Sequence, residues 1–162
     1  MATYLDLSRK YRFFMKAYPF SRYRIHPLPA TIPTKPVNLS RVAIVTTAGF
    51  HTPEQIGFDQ SIRSGDTSFR EIPNTVEVAS LLESHKSDAF DHSGIEADRN
   101  LAFPLDRFRE LQAQRKIGEL NHRHFSVMGS ITKPEKLIAD TAPCVAQLLS
   151  DDEVDIVFLT PV

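Results

Sequence analysis

The densest group of chemistry-bearing side chains lies in the run SHKSDAFDH, which holds Ser84, His85, Asp88, Asp91 and His92. Imidazoles beside carboxylates are the raw material of a proton shuttle, because His titrates near neutrality and a neighbouring carboxylate can fix its tautomer. The same residue types could hold a metal, but neither HExxH nor a cysteine-assisted zinc spacing occurs. A solvated polar loop is the third reading of this run. His85, Asp88 and His92 are the acid/base candidates, and no metal site is expected.

A second group sits in VTTAGFH. Thr46, Thr47, Gly49 and His51 offer hydroxyls and free amides that could hold a carboxylate or another anion. The alternative is that the threonines satisfy backbone groups where a strand ends. Arg99 or Arg107 could clamp a carboxylate bidentately. Against that, Arg70 with Glu71, Asp98 with Arg99 and Asp106 with Arg107 place opposite charges side by side, as structural ion pairs do. His122 and His124 share one strand face if pairing begins that early; a cap or surface role is the alternative. Cys144 is the single cysteine, so a disulfide framework, a CxxC dithiol and a cysteine-rich zinc site are all excluded within one chain. It falls in an apolar helical stripe and reads as a small core residue, not a nucleophile.

These residues need a scaffold, and the hydrophobic pattern predicts one. Val42 to Val45 form the short continuous apolar run of a strand buried on both faces of a parallel sheet. From Phe50 to Asn100 the chain is polar and broken by Gly57, Gly65, Pro73 and Gly94, with order expected only over 76–83. A loop region of this length in a compact domain points to function. Pro104 opens a helix carried by Leu105, Phe108 and Leu111 that stops near Gly118. HFSVMGS (124–130) reads as a strand. Thr132 and Glu135 have capping-box spacing ahead of a stripe through Leu137, Ile138, Thr141, Val145, Leu148 and Leu149, which Pro143 should kink or split. DIVFLTPV (155–162) reads as a second fully apolar, buried strand.

Strands alternating with helices predict an α/β fold with an open, mainly parallel sheet flanked by helices, the three-layer arrangement of flavodoxin-like or Rossmann-like domains. Ligands bind such sheets beyond the carboxyl ends of the strands, here Thr46 to His51, Gly129 to Ser130 and Thr160 to Val162. A buried strand at Val162 without its edge loop and covering helix reads as an unfinished sheet, so the α/β domain over 41–162 is expected to be truncated at its carboxyl end.

Residues 1–40 form a separate strap. Tyr4, Tyr11, Phe13, Phe14, Tyr18, Phe20 and Tyr23 are expected to dock it, and Pro27, Pro29, Pro33 and Pro36 make an extended connector. Residues 1–41 carry eight basic side chains against Asp6 alone, while the remainder carries 11 basic and 19 acidic groups. A basic arm packing on an acidic body fits this split; a nucleic-acid-binding or targeting arm is the alternative. The reading adopted has no nucleic-acid partner. With 41% hydrophobic and 24% charged residues the composition is that of an ordinary globular domain. No apolar run is long enough to span a membrane and the start lacks a secretory core, which predicts a cytoplasmic protein without a membrane partner.

The segments RVAIVTTAGF, GDTSFREIPN, SHKSDAFDH, DRNLAFPLDRFREL, IGELNHRHFSVMGSI and DIVFLTPV, in this order, resemble the selenoprotein B subunits of glycine, sarcosine and betaine reductases and their D-proline reductase relatives. The likeness covers Arg41 to Val162 and extends more weakly into the strap. It implies an oxidoreductase component acting on a small amino-acid-like substrate by reductive cleavage of a carbon–nitrogen or related bond. It also implies reductase-complex subunits and a thioredoxin-type reductant as partners; a homo-oligomer is compatible with it. Such proteins place a selenocysteine or cysteine just past the strand matching DIVFLTPV. The redox residue is therefore expected beyond Val162, with no cofactor in the chain itself, and the 162-residue form is expected to be inactive alone. A UGA codon read as a stop would produce this product. The resemblance supports acid/base roles for His85, Asp88 and His92, and substrate contacts from Thr46, Thr47, Gly49, His51, Ser84 and Arg99. The alternatives are a non-catalytic binding or regulatory module or gene fragment of that family, and a metal-dependent hydrolase using the His/Asp run.

Overall fold

In the computed structural model the described residues are 8–17, 31–87 and 92–162. The chain divides into two units, Met1–Thr31 and Ile32–Val162. In the first, Arg9–Ala17 forms helix α1. Tyr4, Tyr18, Phe20, Tyr23, Pro27 and Pro29 lie outside the described residues, as do Asp88 and Asp91.

The second unit is built on β1, Arg41–Thr46, whose Val42, Ala43 and Ile44 are buried because neighbours cover both its edges and both its faces. On one side it pairs in parallel with β7, Ile156–Thr160, from Val42↔Ile156 to Thr46↔Thr160. On the other it meets β5, Glu119–Leu120, and then β6, Arg123–Val127, both in parallel. The far side of β6 carries an antiparallel strand, β3, Phe69–Pro73. Alternation along β1 divides the core. Val42 and Ile44 join Ile72, Leu120, Phe103 and Leu105 on one face, where helix α3, Leu105–Ala113, packs through Phe108 and Leu111. Ala43 and Phe125 join Val145 and Leu149 of helix α4, Ala142–Asp151, on the other. The result is the three-layer α/β arrangement with a mainly parallel sheet that the sequence predicts. Each fully buried Ile or Phe here contributes about 1.5–3 kcal/mol, and Ile44→Ala would cost about 2–5 kcal/mol.

The stretch from Phe50 to Asn100 is more ordered than its composition suggests. It contains β2, Phe50–His51, paired antiparallel with β4, Leu82–Glu83, then helix α2, His92–Ala97, and β3 itself. Only Ile72 of β3 is buried, so its pattern carried no strong apolar signal.

Three other expectations change, and one, the break at Pro143, holds. The strand at the chain's carboxyl end is not buried: Val157, Phe158 and Leu159 are 38%, 43% and 68% exposed. It pairs with β1 along one edge and with no other strand among the described residues, and α3 reaches it through a Phe108–Phe158 ring contact at 5.0 Å. The capping box at Thr132 and Glu135 does not form, since no side chain caps the helix start and Thr132 gives its backbone N–H to the Ser64 carbonyl. Pro143 does interrupt the helix, which carries a π-helical turn at Leu137–Thr141 just ahead of it, because proline has no N–H to offer the preceding turn. Cys144 is exposed: the buried stripe of α4 runs through Val145 and Leu149, and one helical residue rotates about 100° away from it. No helix among the described residues is long and apolar enough to cross a membrane.

Candidate functional site

The carboxyl ends of β1, β6 and β7 meet at Thr47 and Gly129. Thr47 gives its N–H to the Thr160 carbonyl at 3.1 Å, and its Oγ1 accepts the Val162 N–H at 2.9 Å. A Cβ on Gly129 would lie 2.9 Å from the Thr47 carbonyl oxygen, 3.1 Å from Thr47 Oγ1 and 3.0 Å from His85 Nε2. Glycine there is what lets the His85 imidazole close over the strand ends. His85 is buried, and its Nδ1 accepts the Ser87 N–H at 3.1 Å, which leaves the proton of the neutral ring on Nε2, the atom facing Gly129. Burial, reinforced by the charge of His92, holds its pKa below the ordinary value of 6.5.

His92 opens α2. Its Nδ1 lies 2.8 Å from Glu83 Oε1 and its Nε2 lies 2.7 Å from the Ser87 carbonyl, so both ring nitrogens face acceptors, the arrangement that suits an imidazolium. Asp88, the third acid/base candidate, falls outside the described residues.

The residue before His85 reaches a different neighbourhood. Ser84 Oγ lies 3.0 Å from His51 Nε2, and His51 Nδ1 lies 2.9 Å from the Thr52 carbonyl. Gly49, at φ +67, gives its carbonyl to the Ser84 N–H; a Cβ there would lie 3.0 Å from the Ser84 carbonyl, so both its conformation and the close approach of the β4 segment favour glycine. Phe50, His51, Ser84, Ile95, Glu96 and Arg99 line a cavity of about 370 Å3. Arg99 is held in its wall by a hydrogen bond from Nε to the Leu81 carbonyl at 2.6 Å and forms no salt bridge among the described residues.

The structure thus brings His51, Ser84 and Arg99 into one cavity and sets Thr47 and His85 together at the strand ends. Thr46 joins neither. It is fully buried, its hydroxyl donating to the Ala102 carbonyl at 2.7 Å and accepting from the Ala48 N–H, so it satisfies backbone groups.

The adjacent opposite charges do not pair with each other. Glu71 pairs with Arg123, while Arg70 donates to the carbonyls of Ile56, Gly57 and Phe69 and lies 4.3 Å from the Phe58 ring centroid. Arg107 pairs with Glu110 on the exposed face of α3, and Asp98 accepts from Asn100. Arg109 does the tying, bonding Asp106 and the Asn74 and Val76 carbonyls. His122 is exposed, whereas His124 is fully buried, because β6 begins after His122.

Gly57 and Glu96 were missed from sequence. Gly57 shows there only as a chain break, and Glu96 resembles any solvated helix residue. Among the described residues no cluster of three His, Cys, Asp or Glu side chains could hold a metal ion. A larger cleft of about 710 Å3 runs between residues 62–69 and 133–144 and includes Cys144, but it contains none of the candidate residues, so its size does not recommend it as the site.

Comparison with known proteins agrees with the resemblance read from the motifs. The sequence model described as "Glycine/sarcosine/betaine reductase selenoprotein B" matches residues 12–162. The D-proline reductase subunit gamma of Acetoanaerobium sticklandii is 34% identical over 137 residues, covering 84% of this chain and 54% of that protein. The chain spans about half the length of this curated relative. No solved structure matches.

Proposed function

Because the chain belongs to the glycine/sarcosine/betaine reductase selenoprotein B family, we propose that it is the substrate-side component of a cytoplasmic reductase that cleaves a carbon–nitrogen or related bond in a small amino-acid-like compound. The observation that carries this reading is the meeting of Thr47, Gly129 and His85 beside the Val162 amide. A selenocysteine or cysteine following Val162 would emerge at this edge, where an uncovered glycine leaves room beside an imidazole. Such a residue supplies a selenol or thiol nucleophile, and a selenol is ionised at neutral pH.

The chain's own residues have distinct tasks in this scheme. His85, neutral through burial with its N–H on Nε2, donates a hydrogen bond that orients the substrate at the strand ends. His92, tied to Glu83, fixes the segment that carries His85 and keeps it neutral by charge repulsion. Arg99 takes the substrate carboxylate, and Glu96 on the same wall suits an ammonium group. The relative is by name one subunit of D-proline reductase, and this chain is proposed to work likewise with partner subunits and a thioredoxin-type dithiol.

Reading the genomic DNA past the Val162 codon tests the redox assignment. A UGA or cysteine codon followed by open frame is expected; UAA or UAG, or UGA without open frame beyond, overturns it. The 162-residue chain alone should not reduce glycine, sarcosine, betaine or D-proline with a dithiol present, and measurable turnover would refute its role as a component lacking the redox group.

A further inference from the structure

We propose that Ser84 and His51 form a second catalytic pair, a serine nucleophile and its base, which hydrolyses a small ester or thioester bearing an anionic group. The proposal needs no redox residue and no partner subunit, although it draws on the same Arg99 cavity that the reductase reading gives to the substrate carboxylate.

The pair has the three parts of an activated nucleophile: a hydroxyl, a base within hydrogen-bond reach, and a third group that orients the base. A carbonyl oxygen can only accept, so the 2.9 Å contact of His51 Nδ1 with the Thr52 carbonyl fixes the proton on Nδ1. Nε2 then carries the lone pair, and it faces Ser84 Oγ at 3.0 Å. His51 is 6% exposed, which shields the base from bulk water. A Cβ on Gly57 would lie 2.6 Å from Ser84 Oγ and 3.1 Å from His51 Nε2, so only glycine lets this loop close against the pair without breaking it. Arg70 holds the loop there through the Ile56 and Gly57 carbonyls.

The cavity beside the pair supplies the recognition. Phe50 and Ile95 give it apolar walls, and Arg99 adds a positive charge. The Arg99 guanidinium is fixed by the Leu81 carbonyl and meets the Glu96 carbonyl only at 3.5 Å, which leaves its outer edge for a ligand carboxylate. A substrate seated by that carboxylate presents its acyl group toward Ser84.

In the first step Ser84 Oγ bonds to the carbonyl carbon while its proton passes to His51 Nε2. The bond from that carbon to the leaving oxygen or sulfur then breaks, and the leaving atom takes the proton from Nε2. Water, deprotonated by the same Nε2, attacks the acyl-Ser84, releasing a carboxylic acid and restoring the hydroxyl.

The purified chain, treated with a fluorophosphonate probe, should carry an adduct on the peptide containing Ser84, and it should hydrolyse the mono-p-nitrophenyl ester of succinate above the buffer rate. Ser84→Ala should abolish both, and His51→Gln should reduce labelling about 100-fold. Arg99→Gln should raise KM for the succinate ester more than it raises KM for p-nitrophenyl acetate. Absence of a Ser84 adduct in the folded wild-type chain overturns the proposal whatever the variants do. Undiminished hydrolysis in a folded Ser84→Ala chain overturns it as well, and would reduce the pair to a hydrogen bond that pins β2 to β4.

Discussion

The Ile44 N–H is bonded to Nδ1 of His124 at 3.1 Å, so an imidazole stands where the strand ladder would ordinarily offer a carbonyl. Pairing along this side of β1 breaks between Leu120, where β5 stops, and Arg123, where β6 begins. The ring fills that break. With Nδ1 accepting, the proton resides on Nε2, which has no hydrogen-bond partner among the described residues. Burial, aided by the charges of Arg109 and His122, depresses the His124 pKa to about 4.

Acid should therefore loosen the sheet well above the range in which carboxylates titrate. A His whose folded pKa lies below its unfolded value of 6.5 contributes stability above that pH, and loses it as the pH falls toward about 4. The depression corresponds to roughly 3 kcal/mol. Thermal melts from pH 7.5 to 4.5 should show a fall in Tm that His124→Gln flattens, from a lower starting point. A parallel fall in both proteins would show that His124 is not responsible.

Asp152 should matter more to stability than its place in a turn suggests. Its carboxylate accepts from Arg123 Nε and Nη2, both at 2.8 Å, and from Asn121, while its side chain is only 8% exposed. The Arg123 hydrogen bonds pull its pKa down to about 2. Asp152→Asn should lower stability in urea by about 2 kcal/mol at neutral pH. A carboxylate with a depressed pKa stabilises above its unfolded value and loses that contribution as it protonates. The gap between wild type and variant should accordingly narrow from about pH 4 to about pH 2, and a gap independent of pH would refute the ionic assignment.

A methyl group at position 129 should be felt by His85. Gly129→Ala places a carbon 3.0 Å from His85 Nε2 and 2.9 Å from the Thr47 carbonyl, tighter than either neighbour tolerates without shifting. The His85 ring should move toward solvent, and its pKa, read from imidazole proton shifts, should rise toward the ordinary value as desolvation is relieved. An unchanged titration would mean that the ring does not close over the strand ends.

Arg70 should not be replaceable by lysine. Its guanidinium spreads bonds over the Ile56, Gly57 and Phe69 carbonyls and Ser68 Oγ while stacking on Phe58, geometry that a single ammonium cannot reproduce. Arg70→Lys should increase limited proteolysis within residues 52–62 several-fold, with the global melt displaced by only about 1–2 kcal/mol. Equal cleavage rates would show that the loop is held by other contacts.

The parts legible in the sequence were those whose signal is local. Val42 to Val45, the helix begun by Pro104, and the interruption at Pro143 depend on runs or spacings a few residues long, and each begins where expected, although the Pro104 helix ends at Ala113 rather than near Gly118. The misses share a different cause. Phe69–Pro73 becomes a strand only because β6 offers it an edge, and its inward signal is Ile72 alone. Hydropathy marks Ile156–Thr160 as a strand but cannot say how much of the chain will cover it. Cys144 faces outward because the buried stripe of α4 runs through Val145 and Leu149. At the candidate site, the residue types pointed to the right neighbourhood, but the division of Ser84 and His85 between two settings is tertiary. It depends on which glycine each side chain meets.

The central position of β1 also governs when the protein can fold. Arg41 waits for Glu119, 78 residues downstream, and for Asp155, 114 residues downstream, before its strand is paired on both edges. At about 5–20 residues per second on the ribosome, the delay to the second partner is roughly 6–23 s. Throughout that interval the apolar run Val42–Val45 is in the nascent chain without the strands that bury it. The timing of synthesis, as much as the final packing, thus decides how long this segment stays without the contacts that bury it.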